Sequence, residues 1–289
     1  VHYEKGPGMD FTHGTLLLRM SGLYSLRALA ALRAGDSTLA CRDLETLDRL
    51  QRALQREPLL VSELVRLTIL SYLLQPLWEG LANHNWNAGQ LRQIQDLIES
   101  THLLADHPGV VRGDRAFSRV CFQSIRKRRS HVLEKMHSLL PFDTLPASIE
   151  LTAMLLPGDA VLDQNEAISE RWVQDLVLPM VDLPGGRIVR ENSDRLERTI
   201  TSAFSTPYNA MAKLAFPIYP TIVRRVGVAA VALDEARTAC AIERFRLANG
   251  RLPKELGELV PMYLGTVPAD ILRQRPLQYQ RAPARTSNI

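Results

Sequence analysis

The sequence has few of the residues that mark a small secreted protein or a metal-binding protein. It contains three cysteines, Cys41, Cys121 and Cys240, and no two of them form a C-x-x-C pair. This spacing excludes a zinc knuckle and a dense disulfide framework. Because all three lie among apolar residues with helical spacing, we expect them to be small buried thiols.

Several motifs of nucleotide binding and hydrolysis are also missing. The sequence contains no G-x-x-x-x-G-K-[ST], no G-x-G-x-x-G, no G-x-S-x-G and no H-E-x-x-H. Their absence favours a non-enzymatic protein without a cofactor, although an active site can be built without a local motif. The sequence therefore predicts no catalytic residue and no metal ligand.

Long uninterrupted apolar runs are absent as well. The most apolar segment, Leu59 to Leu81, carries Glu63, Arg66 and Glu79. Since a spanning helix needs roughly 20 apolar residues, we expect this segment to be a core helix and no segment to cross a bilayer. The chain starts at Val1 rather than at Met, and we expect a membrane anchor to precede it.

What the sequence does contain is typical of a globular helical protein. Of its 289 residues 46% are hydrophobic and 23% are charged, and the formal net charge is +4. Apolar residues recur every three or four positions in residues 40–54, 61–72 and 91–101. This period predicts a mainly α fold, namely an irregular helical array or bundle that ends in a long helix, a short helix and a small β tail.

Glycines and prolines predict where the helices begin and end. We expect a helix from Leu16 to Ala34, then one capped by Ser37 or Thr38. The sequence DHPG at 106–109 is expected to end a fourth helix, and Pro141 a fifth that starts near Asp114. A final long helix is predicted from about 220 to 248.

The helices are predicted to form two consecutive regions. Residues 1–141 form a helical array, and residues 142–289 contain shorter helices, the long helix and the tail, with a turn at LLPFDTLP (139–146) between them. YSLRALAALRAGDSTLACRDLETL (24–47) resembles a tetratricopeptide hairpin. No second copy follows 34 residues later, so we interpret it as a helical hairpin in an irregular bundle.

The strongest local concentration of charge is the sequence RKRR. It comprises Arg126, Lys127, Arg128 and Arg129, which we predict as an interaction surface for an anionic partner such as lipid headgroups or nucleic acid. The alternative is a solvated helix face that pairs with acidic neighbours. Nucleic acid is the less favoured partner, because no aromatic residues alternate with the arginines.

Acidic residues and histidines offer the alternative of a hydrolase-type enzyme. Asp159, Asp163 and Glu166 could line a pocket between the helical regions, since two carboxylates can divide acid and base roles. His131 and His137 are six residues apart and point in different directions on one helix. They therefore predict exposed polar residues rather than a metal site.

The C-terminal segment, residues 233–281, has an ordered series of short patterns. A helix leads into R-x-x-x-G-R-x-P, followed by L-x-x-L-V-P-x-Y-L, V-P-x-D and P-L-x-Y. Asn249-Gly250 is placed to end the long helix in a left-handed turn. Tyr263, Leu264 and Val267 are spaced to pack an irregular segment against that helix.

These patterns resemble the C-terminal part of the major pseudopilins of type II secretion, and a similar segment in uncharacterised envelope-associated proteins of planctomycete-like bacteria. The resemblance implies a packing unit of long helix, short helix and terminal strand. It also implies a non-enzymatic scaffold of the bacterial cell envelope with a protein partner, in preference to a cytoplasmic protein. ADILRQRP lacks the glycine turn of the pseudopilins, and Arg224 and Arg225 occupy their apolar helix half, so neither metal binding nor filament assembly is carried over.

Overall fold

The computed structural model describes residues 3–127 and 159–280 and confirms the mainly α class. Its α-helices are α1 (Thr12–Arg33), α2 (Ser37–Leu54), α3 (Leu60–Ala82), α4 (Ala88–Glu99), α5 (Leu103–Lys127), α6 (Asp159–Trp172), α7 (Arg190–Ser202), α8 (Ala210–Ala215) and α9 (Ile218–Asn249). Two small antiparallel ladders pair β1 (Val181–Asp182) with β2 (Arg187–Ile188), and β3 (Ala269–Asp270) with β4 (Arg275–Pro276).

The predicted hairpin of α1 and α2 forms, and its turn has the expected position. Ala28, Ala40 and Leu44 are fully buried. The cap of α2 differs from the prediction, because the carboxylate of Asp36 accepts the backbone N–H of Leu39 at 2.9 Å. An acceptor one residue before the helix reaches the third N–H of the first turn, whereas Ser37 already lies inside the helix.

Helix α4 begins at a capping box. The Asn87 side chain accepts the N–H of Gln90 at 2.9 Å, and the Gln90 side chain accepts the N–H of Asn87 at 3.0 Å. These two bonds satisfy backbone donors that a helix start otherwise leaves open. The polar residues 83–87 therefore separate α3 from α4.

Helix α5 contradicts one predicted boundary. It begins at Leu103 and continues through Pro108 and Gly109, where we expected a helix to end. Pro108 lies in the second turn, so its missing N–H removes one hydrogen bond near the helix start without ending the helix. The predicted end at Leu140 lies outside the described residues.

The C-terminal segment folds as a helix, a 3₁₀ turn and a short ladder. Gly250 adopts a left-handed φ of 66° and donates its N–H to the carbonyl of Arg246, as predicted. A 3₁₀ turn follows at Leu256–Leu259. The buried core of this module consists of Ala241, Phe245, Leu256, Leu259 and Leu264, against which Ile242, Tyr263, Val267, Leu277 and Tyr279 pack.

The chain divides into two compact units that alternate along the sequence. The described parts of the first unit are residues 3–16, 54–65, 104–127 and 159–226; those of the second are 17–53, 66–103 and 227–280. The sequence instead predicted two consecutive regions, 1–141 and 142–289. The boundary between those regions lies outside the described residues.

Helix α6 organises the first unit. Its π-helical extension, Val173–Val177, contacts α7, and α8 contacts α6 itself. The ring centroids of Trp172 and Phe216 are 5.2 Å apart in an edge-to-face contact. These contacts fix the walls of a cavity described below.

Among the described residues, two segments are long and apolar enough to cross a membrane by length and composition alone. They are Leu60–Ala82 and Ala210–Asn249, and 56% and 33% of their most apolar parts are buried. The sequence predicted no span, because charged residues interrupt its most apolar segment, Leu59 to Leu81. A core helix of a folded domain has the same length and composition.

Candidate functional site

The structure places half of the predicted basic surface. Arg126 is on the last turn of α5, where one terminal nitrogen lies 2.6 Å from Asp163 and 2.6 Å from Glu166. Lys127 is exposed. Arg128 and Arg129 lie outside the described residues, as do His131 and His137, so the four-residue surface stays a prediction.

Further arginines of α5 pair with α6 in the same way. Glu170 accepts from Arg119 at 2.5 Å and from Arg115 at 2.9 Å. Together with Arg126, these contacts form a ladder of ion pairs between α5 and α6. Arg115, Arg119 and Arg126 therefore have carboxylate partners. This is what the alternative interpretation of the basic stretch expects, namely a helix face whose arginines pair with acidic neighbours.

Two of the three acidic residues predicted for a hydrolase pocket belong to the same ladder. Asp163 and Glu166 both accept hydrogen bonds from Arg126. Asp159 is the first residue of α6. Within residues 3–127 and 159–280, no group of three His, Cys, Asp or Glu side chains is placed to hold a metal ion.

A partly open cavity of about 190 Å³ lies inside the first unit. Its walls come from α5, α6, α8 and α9. The apolar part includes Leu60, Phe122, Val173, Phe216 and Tyr219, and the polar part includes Asp114, Arg115, Ser118, Glu166 and Glu170.

Asp114 is the carboxylate of this cavity that stands apart from the ion-pair ladder. One oxygen accepts the backbone N–H of Leu60 at 3.3 Å, and the other accepts the hydroxyl of Tyr219 at 3.2 Å. Burial raises the pKa of Asp114 above its ordinary value, and the negative charge of Glu63 adds to the effect. Burial and the Asp114 charge likewise raise the pKa of Tyr219.

These groups do not form an activated nucleophile. Burial raises the pKa of the Cys121 thiol to about 11, so the thiol stays protonated at neutral pH. His107 lies on α5 but binds Glu63, with its Nδ1 2.9 Å from both carboxylate oxygens. Neither Cys121 nor His107 therefore supplies a nucleophile–base pair in this cavity.

Sequence reasoning missed Asp114 and Tyr219 as partners. They are 105 residues apart, and neither belongs to a motif. The one available signal was an acidic residue within the arginine-rich stretch 112–119.

A second functional feature is the orientation of α1. Most of its inward residues are small: Ser21 and Ala28 are fully buried, and Ser25 donates its hydroxyl to the carbonyl of Tyr72 at 2.8 Å. Leu32 is also buried, but several other large apolar side chains point the other way. We define the outward face of α1 as the exposed residues Leu16, Met20, Leu23 and Leu26.

The first unit also exposes apolar side chains between α7 and α9. Phe204 is 88% exposed, and Tyr208, Leu214 and Ile218 are about half exposed. Asn209 donates its side-chain amide to the carbonyl of Phe204 at 2.8 Å, which fixes this loop beside the start of α8. We call this group the 204–218 surface.

Comparisons with family models, with curated proteins and with solved structures find no match to the chain.

Proposed function

We propose that the protein is a helical scaffold of the bacterial envelope that lies against an anionic membrane surface through the outward face of α1. The observation that carries this proposal is the row of large apolar side chains on the exposed side of that helix. A surface helix of a globular protein turns its leucines toward the core and its polar residues toward water. In α1 the inward side holds mostly small residues together with Leu32, while Leu23 and Leu26 are 68% and 65% exposed.

The charge of α1 supports a lipid partner. The helix carries Arg19, Arg27 and Arg33 and no acidic residue. Arg27 pairs with Asp43, whereas Arg19 and Arg33 have no acidic partner within the described part of the chain. At 3.6 residues per turn all three lie on the outward half of the helix. Leucines flanked by arginines are the pattern of a helix that lies in the interface of an anionic bilayer.

The 204–218 surface supports the same kind of partner independently. No acidic residue occurs between Glu197 and Asp234. Arg224 and Arg225 are exposed and have no acidic partner among residues 3–127 and 159–280. An exposed phenylalanine on a segment that carries arginines and no acidic residue is suited to the boundary between headgroups and acyl chains.

The C-terminal module supplies the scaffold part of the proposal. Its resemblance to pseudopilins motivates the envelope location and a protein partner. Its buried core from Ala241 to Leu264 gives that module a fixed shape. A rigid module on a surface-bound helical body is suited to presenting a binding site at the membrane.

The test measures sedimentation of the protein with vesicles of equal parts phosphatidylglycerol and phosphatidylcholine. The double variant Leu23→Glu/Leu26→Glu is expected to lose binding. Inserting one leucine contributes about 1.5–3 kcal/mol, and each 1.4 kcal/mol is a factor of about ten, so affinity should fall about 100-fold or more. Pure phosphatidylcholine vesicles should bind the unchanged protein much more weakly.

Leu247→Glu/Met262→Glu is the matched control, because it introduces the same charge at two other exposed apolar positions. It should keep most of the binding. Equal losses in both double variants would assign the effect to net charge and contradict the α1 face. Replacing Arg126, Lys127, Arg128 and Arg129 by glutamine in the same assay decides whether the predicted basic surface contributes.

A further inference from the structure

The charges that line the cavity of the first unit are balanced except at one position. Glu170 pairs with Arg115 and Arg119, and Glu166 pairs with Arg126. Asp114 has two hydrogen-bond donors, the Leu60 amide and the Tyr219 hydroxyl, but no cation within 4 Å among the described residues. A partly buried carboxylate without a cation is electrostatically unfavourable.

We propose that this cavity binds a small organic amine, with the ammonium group paired to Asp114 and the apolar part against Phe122, Phe216 and Tyr219. An ammonium group would supply a positive charge beside Asp114, where the described residues supply none. A carboxylate paired with a charged donor forms a hydrogen bond roughly twice as strong as a neutral pair. This site is separate from the proposed membrane face, and either can fail without the other.

The volume and the lining residues of the cavity indicate what kind of molecule would carry the ammonium group. A volume of about 190 Å³ suits a molecule smaller than a typical drug. Most of the lining is apolar, and the Phe216 and Tyr219 rings lie 5.1 Å apart between centroids. Aromatic faces attract cations as well as apolar groups, so an aryl or alkyl amine fits better than a polyamine.

Charged and titratable groups on every wall are accounted for. Arg115 and Cys121 come from α5, Glu166 and Glu170 from α6, and Tyr219 from α9. Glu63 of α3 contributes negative charge near Asp114 but is itself paired with His107. The arginines of this set are held by carboxylates, so none is available to neutralise Asp114.

The experiment is isothermal titration of the whole protein with phenethylamine and, as its neutral counterpart, phenethyl alcohol. At neutral pH the amine is expected to bind at least about tenfold more tightly, because only the amine can pair with the carboxylate. Asp114→Asn should bring the two affinities together. Amine affinity should also fall as the pH is lowered and Asp114 becomes protonated.

Ser118→Phe provides a second variant, since Ser118 lines the cavity one helical turn after Asp114 and makes neither of the Asp114 hydrogen bonds. It should abolish binding of both compounds while thermal unfolding still shows a cooperative transition. The comparison of amine and alcohol affinities in the unchanged protein remains a valid test even if a variant fails to fold. Equal affinity for amine and alcohol, no binding of either, or an amine preference that survives in Asp114→Asn would overturn the proposal.

Discussion

At the scale of single residues, the carboxylates of the first unit differ in how their charge is balanced. Asp163, Glu166 and Glu170 are each held by arginine, and Glu63 is paired with His107. Asp114 relies on a backbone amide and a phenol. Asp114 therefore has two neutral hydrogen-bond donors and no cationic partner among the described residues.

This difference predicts how stability depends on pH. Burial raises the pKa of Asp114 above its ordinary value of 3.8, so the folded chain holds this proton over a pH window in which the unfolded chain has lost it. Stability must then decrease as the pH rises through that window. Urea unfolding of the protein and of Asp114→Asn, from pH 4 to 7, should show the unfolding free energy of the unchanged protein falling relative to that of the variant. If the difference in unfolding free energy between the two proteins did not change with pH, Asp114 would have the same pKa in the folded and unfolded chain, contrary to the prediction.

At the scale of elements, α5 is positioned by a close approach to the chain before α3. A Cβ added at Gly113 would collide with the side chain and carbonyl of Pro58. The N–H of Leu60, two residues on, bonds to Asp114, the next residue of α5. The small size of residue 113 therefore lets the backbone come close enough to bind the carboxylate.

Two glycine substitutions on α5 should have opposite effects. Gly113→Ala is expected to lower the unfolding free energy by about 1–3 kcal/mol, because the methyl group forces the backbones apart. Gly109 is exposed with nothing within 4 Å of an added Cβ, and Gly109→Ala should raise stability by about 0.5–1 kcal/mol through helix propensity. Denaturant unfolding of both variants measures the difference, and two equal effects would exclude the close approach at Pro58.

The sequence signals that proved reliable were those that act within one or two helical turns. The turn at Asn249-Gly250 acts within four residues, and α9 ends where it was predicted to end. Pro108 misled because a proline weakens a helix without always ending it: α5 continues through Pro108 although one backbone hydrogen bond is missing there.

At the scale of the whole molecule, each compact unit is built from distant parts of the chain. In the second unit, the side-chain amide of Gln95 on α4 donates to the carbonyl of Tyr263 at 3.1 Å, and Arg244 on α9 donates to Gln95 at 2.6 Å. In the first unit, Arg119 of α5 binds Glu170 of α6. These contacts join residues on either side of position 141.

Fragments 1–141 and 142–289, expressed separately, should therefore fail to fold. Each would lack part of the core of both units, so we expect weak helical circular dichroism, no cooperative thermal transition and little protection from hydrogen exchange. Mixing the fragments should restore some helicity. A cooperative transition in either fragment alone would support the consecutive division that the sequence predicts.

The sequence by itself determined the mainly α class, the turn between α1 and α2, the end of the long helix and the packing of Tyr263, Leu264 and Val267 against that helix, because periodicity and turns are local. The tertiary structure decided the rest. The meeting of Asp114 with Tyr219, the partners of Arg126 and the outward direction of the α1 leucines depend on which helices become neighbours. Apolar spacing marks a helix face as apolar, but burial is fixed only when another element covers that face.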